Sequence, residues 1–93
     1  INPTIYNRDN HTCYNCNNTN CEVHAHHIFN FAAHKELRKN MFNIITLCKK
    51  CHQKYHRKYG YRNNLTQFEE FTNKRYIYHQ SLLNYYEFYH RAF

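Results

Sequence analysis

The chain is short of acid, has one glycine, one proline and no tryptophan, and contains no long apolar run. No stretch approaches the ~18 consecutive apolar residues of a membrane span, and none has the pattern of a secretory signal. A membrane partner is therefore not expected. There is no internal repeat and no low-complexity linker at which 93 residues could divide, so one small domain is expected. Asp and Glu number only 6 against 13 Lys+Arg, a formal charge of +7 with histidines neutral. That balance favours a polyanionic partner, nucleic acid ahead of a membrane surface, although charge alone identifies none.

Cysteine and histidine, by contrast, are plentiful, at 5 and 9 residues. A chain this short buries only about 60% of its extended surface, so a metal or disulfide staple is expected. The cysteines form two tight pairs with Cys21 left over. An odd count and Cys-x-x-Cys spacing read more readily as metal ligands in a reducing, intracellular setting than as a disulfide framework. The chain opens with Ile1 rather than Met, as a piece of something longer would. Its richness in Asn, Lys, Ile, Tyr and Phe, residues with AT-rich codons, is a faint pointer to a phage, organelle or other AT-rich genome.

Along the chain, residues 1–12 are polar and Asn-rich and read as an extended lead-in; Cys13 to Cys21 is too polar for a helix or core strand and reads as a knuckle. Residues 22–28 have strand length, and alternation puts Val23, Ala25 and His27 on one face, His24 and His26 on the other. Residues 32–40 predict a short basic helix or loop, and the β-branched run 42–47 a second strand. Lys49 to Tyr59 predicts a helix ending before Gly60. Thr66-x-x-Glu69 matches a capping box for a further helix carrying Phe68 and Phe71 inward. Tyr78, Leu82, Tyr85, Tyr89 and Phe93 recur at steps of three and four, the mark of an amphipathic terminal helix.

The strongest motif is Cys13-x-x-Cys16 with Cys48-x-x-Cys51. Four thiolates at roughly 2.3 Å suit a closed, tetrahedral structural Zn²⁺. Residues 17–47 between the pairs exceed a zinc-ribbon gap, so something is inserted between the knuckles. The second motif is histidine. His52 and His56 lie four apart on one helix face and can share a metal ion, with the strand residue His26 opposite completing a three-imidazole shell. His27 points the other way and is free to accept a proton. His11, His34, His79 and His90 read as surface residues, and His24 as exposed although it shares a face with His26.

The ordered set Cys13/Cys16, Val23-His24-Ala25-His26-His27-Ile28 and Asn43-Ile44-Ile45-Thr46-Leu47-Cys48-Lys49-Lys50-Cys51-His52, with His56 one turn on, resembles the HNH endonuclease family. The likeness runs from about Asp9 to Gly60, with Gly60 to Phe71 similar to the tail of phage and intron-associated homing members. It implies an α+β fold with a ββα-metal core over 9–60, a helical extension over 61–93, and cleavage of DNA to 5′-phosphate and 3′-hydroxyl ends. It also implies His27 as general base, and Asn43 orienting either the active-site loop or His27. His26 and His52 become ligands of a catalytic divalent metal, Mg²⁺ or another, and His56 matches a third ligand present in only some members. Lys50, Lys54, Arg57 and Lys58 on the helix, and Lys35, Arg38 and Lys39 before the second strand, suit contact with DNA phosphates ahead of the alternative of a merely solvated face. Two rivals keep the cysteine site without chemistry: a zinc-binding nucleic-acid module, and a protein-interaction module docking through the aromatic terminal helix. A two-Cys, two-His finger is excluded because Cys16 and His52 are too far apart.

Overall fold

In the computed structural model, which describes residues 2–91, the elements run α1 (Asn2–Arg8), β1 (Val23–His27), β2 (Ile44–Cys48), α2 (Lys49–Tyr59), α3 (Leu65–Thr72) and α4 (His79–Tyr89). Short 3-10 turns lie at Lys35–Leu37 and Met41–Asn43. The result is α+β: four helices around a two-stranded antiparallel sheet. β1 and β2 pair in a register that runs from Val23↔Cys48 to His27↔Ile44. Phe42 and Asn43, expected in the second strand, belong instead to the turn before it, because Asn40 caps that turn by accepting from the Phe42 N–H at 2.9 Å.

Every residue of β2 is buried. Ile45 and Leu47 join the main core with Tyr55, Phe68, Tyr76 and Leu82. Where an extended lead-in was expected, residues 2–8 form α1, which buries Ile5 and contacts both strands. Pro3 is no obstacle in a first turn, where its missing N–H has no partner to lose. So short a helix with one apolar anchor owes its stability to docking rather than to its own periodicity. The docking is specific. Arg8 donates to the Met41 and Ile44 carbonyls at 2.7 Å each, Asp9 accepts from the Thr46 N–H at 3.0 Å, and the Tyr14 N–H reaches the Thr46 carbonyl at 2.9 Å. These bonds occupy the outer edge of β2, which would otherwise offer unpaired backbone to another chain.

α2 begins and ends where its residues dictate. Cys48 is the N-cap, its sulfur accepting from the Cys51 N–H, and Gly60 terminates the helix at φ 70°. α3 starts earlier than the Thr66 box implied: Asn64 and Gln67 make the reciprocal capping bonds, which brings Leu65 into the buried first turn. Glu69 is spent elsewhere, accepting from the Tyr76 N–H and pairing with His79. Phe68 is fully buried as expected, and Phe71 partly so. In α4 the inward stripe is rotated from the expected one. Leu82 is buried and Tyr86 stacks on Phe29 at 4.3 Å, while Tyr85 and Tyr89 face outward. Phe93 lies outside the described residues. No helix among the described residues is long and apolar enough to cross a membrane.

Candidate metal centres

The four-cysteine cluster is assembled from two turns. Cys13 and Cys16 flank a tight bend that Asn17 closes at φ 64°, a conformation asparagine adopts more readily than most residues. Cys48 closes β2 and Cys51 sits in the first turn of α2. The four sulfurs lie within 4.8 Å of one another, close enough to hold a metal such as zinc. Backbone N–H groups of Cys16 and Cys51 point at the sulfurs of Cys13 and Cys48, at 3.5 and 3.3 Å, and the Asn15 amide points at Cys51 at 3.4 Å. Burial acts to raise the Cys48 thiol, but the Cys51 N–H and the neighbouring thiols outweigh it and bring it down to about 7. Burial pushes Cys51 up to about 12. Packed thiols cannot all ionise against one another unless a cation sits among them. Cys21 is outside the cluster and donates to the Asn18 carbonyl.

The second cluster unites strand and helix. His26, on β1, is 1% exposed, and His52 and His56 are stacked one turn apart on α2; one nitrogen of each lies within 4.8 Å of the others. Burial, followed by the imidazoles of His52, His56 and His27, holds His26 well below the usual histidine value. Burial and the rings of His56 and His24 bring His52 down to about 4. Both are therefore neutral at physiological pH, with lone pairs free for a cation.

Hydrogen bonds orient the rings. His56 Nδ1 donates to the Gly60 carbonyl at 2.7 Å, which turns its Nε2 toward His52. His24 Nε2 meets the Glu22 carboxylate at 2.7 Å, and its Nδ1 meets His52 Nδ1 at 3.0 Å. His52 Nε2 faces His56 Nε2 across 3.0 Å. His26 Nε2 is buried without a hydrogen-bond partner. This donor set fits a divalent cation.

Sequence reasoning missed the roles of His24, Glu22 and the Gly60 carbonyl. The alternation that placed His24 beside His26 was the available signal; a backbone carbonyl gives none. Gly60 adopts φ 70°, ψ −149°, a region essentially restricted to glycine. Gly60→Ala should cost about 1–3 kcal/mol and weaken metal binding at the histidines, because the carbonyl that orients His56 must move. Calorimetry with a metal titration checks both; a parent-like melting temperature and affinity would make the glycine incidental.

His27 lies beside the cluster. It lines, with His26, His52, His56, Phe31 and Tyr61, an open cleft of about 310 Å³. Its Nε2 donates to the Arg38 carbonyl at 3.0 Å, which leaves Nδ1 as the basic nitrogen. Asn43 is fully buried, and its side chain makes no hydrogen bond to His27. Its Oδ1 accepts from the Phe29 N–H at 2.7 Å, and its Nδ2 donates to the Phe29 and Leu37 carbonyls. It pins the loop whose next carbonyl, that of Arg38, holds His27.

The basic residues divide. Lys50, Lys54 and Arg57 are exposed on α2, and Arg57 borders a groove shared with His24, His52 and His56. Lys58 faces Glu70 at 3.8 Å. Lys35 and Lys39 are exposed, whereas Arg38 donates to the Phe31 and Ala32 carbonyls. In comparisons with protein-family models, curated proteins and solved structures, nothing matches this chain.

Proposed function

We propose that the chain is a metal-dependent endonuclease of the HNH type, with β1, β2 and α2 forming a ββα-metal core around a divalent cation and a structural zinc on the four cysteines. One observation carries the reading: three imidazole nitrogens suited to a cation share a cleft with a fourth imidazole, His27, whose Nδ1 is left free. His27 takes a proton from water as the water oxygen attacks phosphorus, the bond to the 3′ oxygen breaks, that oxygen takes a proton from solvent, and 5′-phosphate and 3′-hydroxyl ends result. A cation bound to His26, His52 and His56 supplies charge neutralisation at the phosphate and at the departing oxygen. Asn43 acts one step back, by holding the loop that orients His27. Three imidazoles suit Zn²⁺, Ni²⁺ or Fe²⁺ better than Mg²⁺, which prefers oxygen ligands.

The substrate is DNA, favoured by the +7 charge and by the exposed cations of α2. Neutralising Lys50, Lys54 and Arg57 together should weaken binding and flatten its salt dependence by up to ~0.9 log unit per lost phosphate contact. An unmoved salt slope would mean that this face is merely solvated. The reading as a whole is tested by incubating the protein with supercoiled plasmid and Mg²⁺, Mn²⁺, Ni²⁺ or Zn²⁺ in turn. Nicking that depends on the metal is expected; plasmid left intact by all four would leave a zinc-binding nucleic-acid module without catalysis.

A further inference from the structure

Two of the exposed large apolar side chains, Phe31 at 55% and Tyr61 at 76%, line the histidine cleft. Neither belongs to the hydrophobic core, so packing does not account for them. Each is held in place by a residue of the site. Tyr61 lies nearly parallel to His56, with ring centroids 4.4 Å apart and planes at 14°. Phe31 meets His27 edge-on at 5.4 Å and carries the Arg38 guanidinium over its face at 4.2 Å. Both rings are thus fixed in orientation yet open to solvent, on the cleft that holds the base and the cation ligands. Arg57 stands beside Tyr61 in the adjoining groove, and Arg62, the next residue, is exposed.

We propose that Phe31 and Tyr61 form a nucleobase-stacking subsite, which makes single-stranded or locally unpaired nucleic acid the preferred substrate over intact duplex. The inference rests on the nuclease reading and specifies its substrate. An aromatic ring offers a face, and stacking needs a nucleobase face in return. In a duplex those faces are covered by the neighbouring pairs, and only edges reach the grooves. An unpaired base has both faces free, and a strand placing its phosphate at the histidines carries the adjoining base onto one of the rings. Stacking tolerates any base, so the subsite selects strand state rather than sequence.

The test compares a fluorescently labelled oligonucleotide as a single strand and as a duplex of the same sequence. Binding is followed by anisotropy without added divalent metal, and cleavage with the metal that nicks plasmid. The parent should bind and cut the single strand in preference. Tyr61→Ala and Phe31→Ala should each weaken single-strand binding roughly 5- to 150-fold, the range for loss of one stacked base, and leave duplex binding unchanged. Tyr61→Trp should retain the preference. Equal affinity for the two strand states, or alanine variants that bind the single strand like the parent, would overturn the subsite. So would a Tyr61→Ala variant whose only defect is weaker metal binding at His56, read by metal titration. Cleavage without strand preference rejects the subsite and keeps the nuclease; strand preference without cleavage by any metal does the reverse.

Discussion

His27→Ala should lose roughly 10²- to 10⁴-fold of the cleavage rate, the usual contribution of a positioned acid–base group, while still binding DNA and the second metal. The separation is sharp because His27 is bonded to a backbone carbonyl and not to the other imidazoles. His26→Ala should fail differently. It removes a buried member of the three-imidazole set, so metal affinity itself falls and excess metal restores part of the activity. Metal titrations of the two variants under identical conditions separate the cases. Loss of metal binding in His27→Ala with retention in His26→Ala would reverse the roles, and parent-like cleavage by both would end the nuclease reading.

Cys13→Ser or Cys51→Ser should abolish the folded state altogether. Structural zinc contributes on the order of 10–16 kcal/mol of apparent binding free energy to small domains, comparable with or above the roughly 5–15 kcal/mol net stability of an ordinary domain. Both cysteines are buried and tie different parts of the chain together, the turn after α1 and the start of α2. Zinc content near one per chain in the parent, near zero in the variants, and loss of the cooperative thermal transition are the expected measurements. His52→Ala is the control: fold and zinc should survive while cleavage falls. A cysteine variant with undiminished thermal stability would remove the stapling role.

The sequence was most legible where one residue type has one physical use. Gly60 marked the end of α2 because few other residues accept its φ, and paired Cys-x-x-Cys marked the cysteine cluster because tetrahedral thiolate sites need tight turns. The alternation of β1 separated His26, buried against α2, from His27. Legibility failed where the decisive partner is distant or is backbone. α1 is held as a helix because Arg8 and Asp9 meet Ile44 and Thr46 of β2 more than thirty residues later, which no local pattern encodes. The α3 cap moved to Asn64 because two competent capping residues stood close together and the burial of Leu65 decided between them. The α4 stripe was rotated because tyrosines satisfy a helical period on either face, and the stacking of Tyr86 on Phe29 selected one. His24 gained its role only when α2 brought His52 to within 3.0 Å of it.

Cys51 and His52 are consecutive residues in the first turn of α2, so the two clusters share one rigid lever. Two ions held there would be thermodynamically linked. Whatever the cysteine-bound ion contributes to placing His52, occupancy at the histidines returns by the same factor to the cysteines, since coupling between binding sites is reciprocal. On the proposed function, a chelator or oxidant acting on the thiols would register as lost affinity at the histidines before the chain unfolds, and zinc supply would govern a centre that need not itself hold zinc.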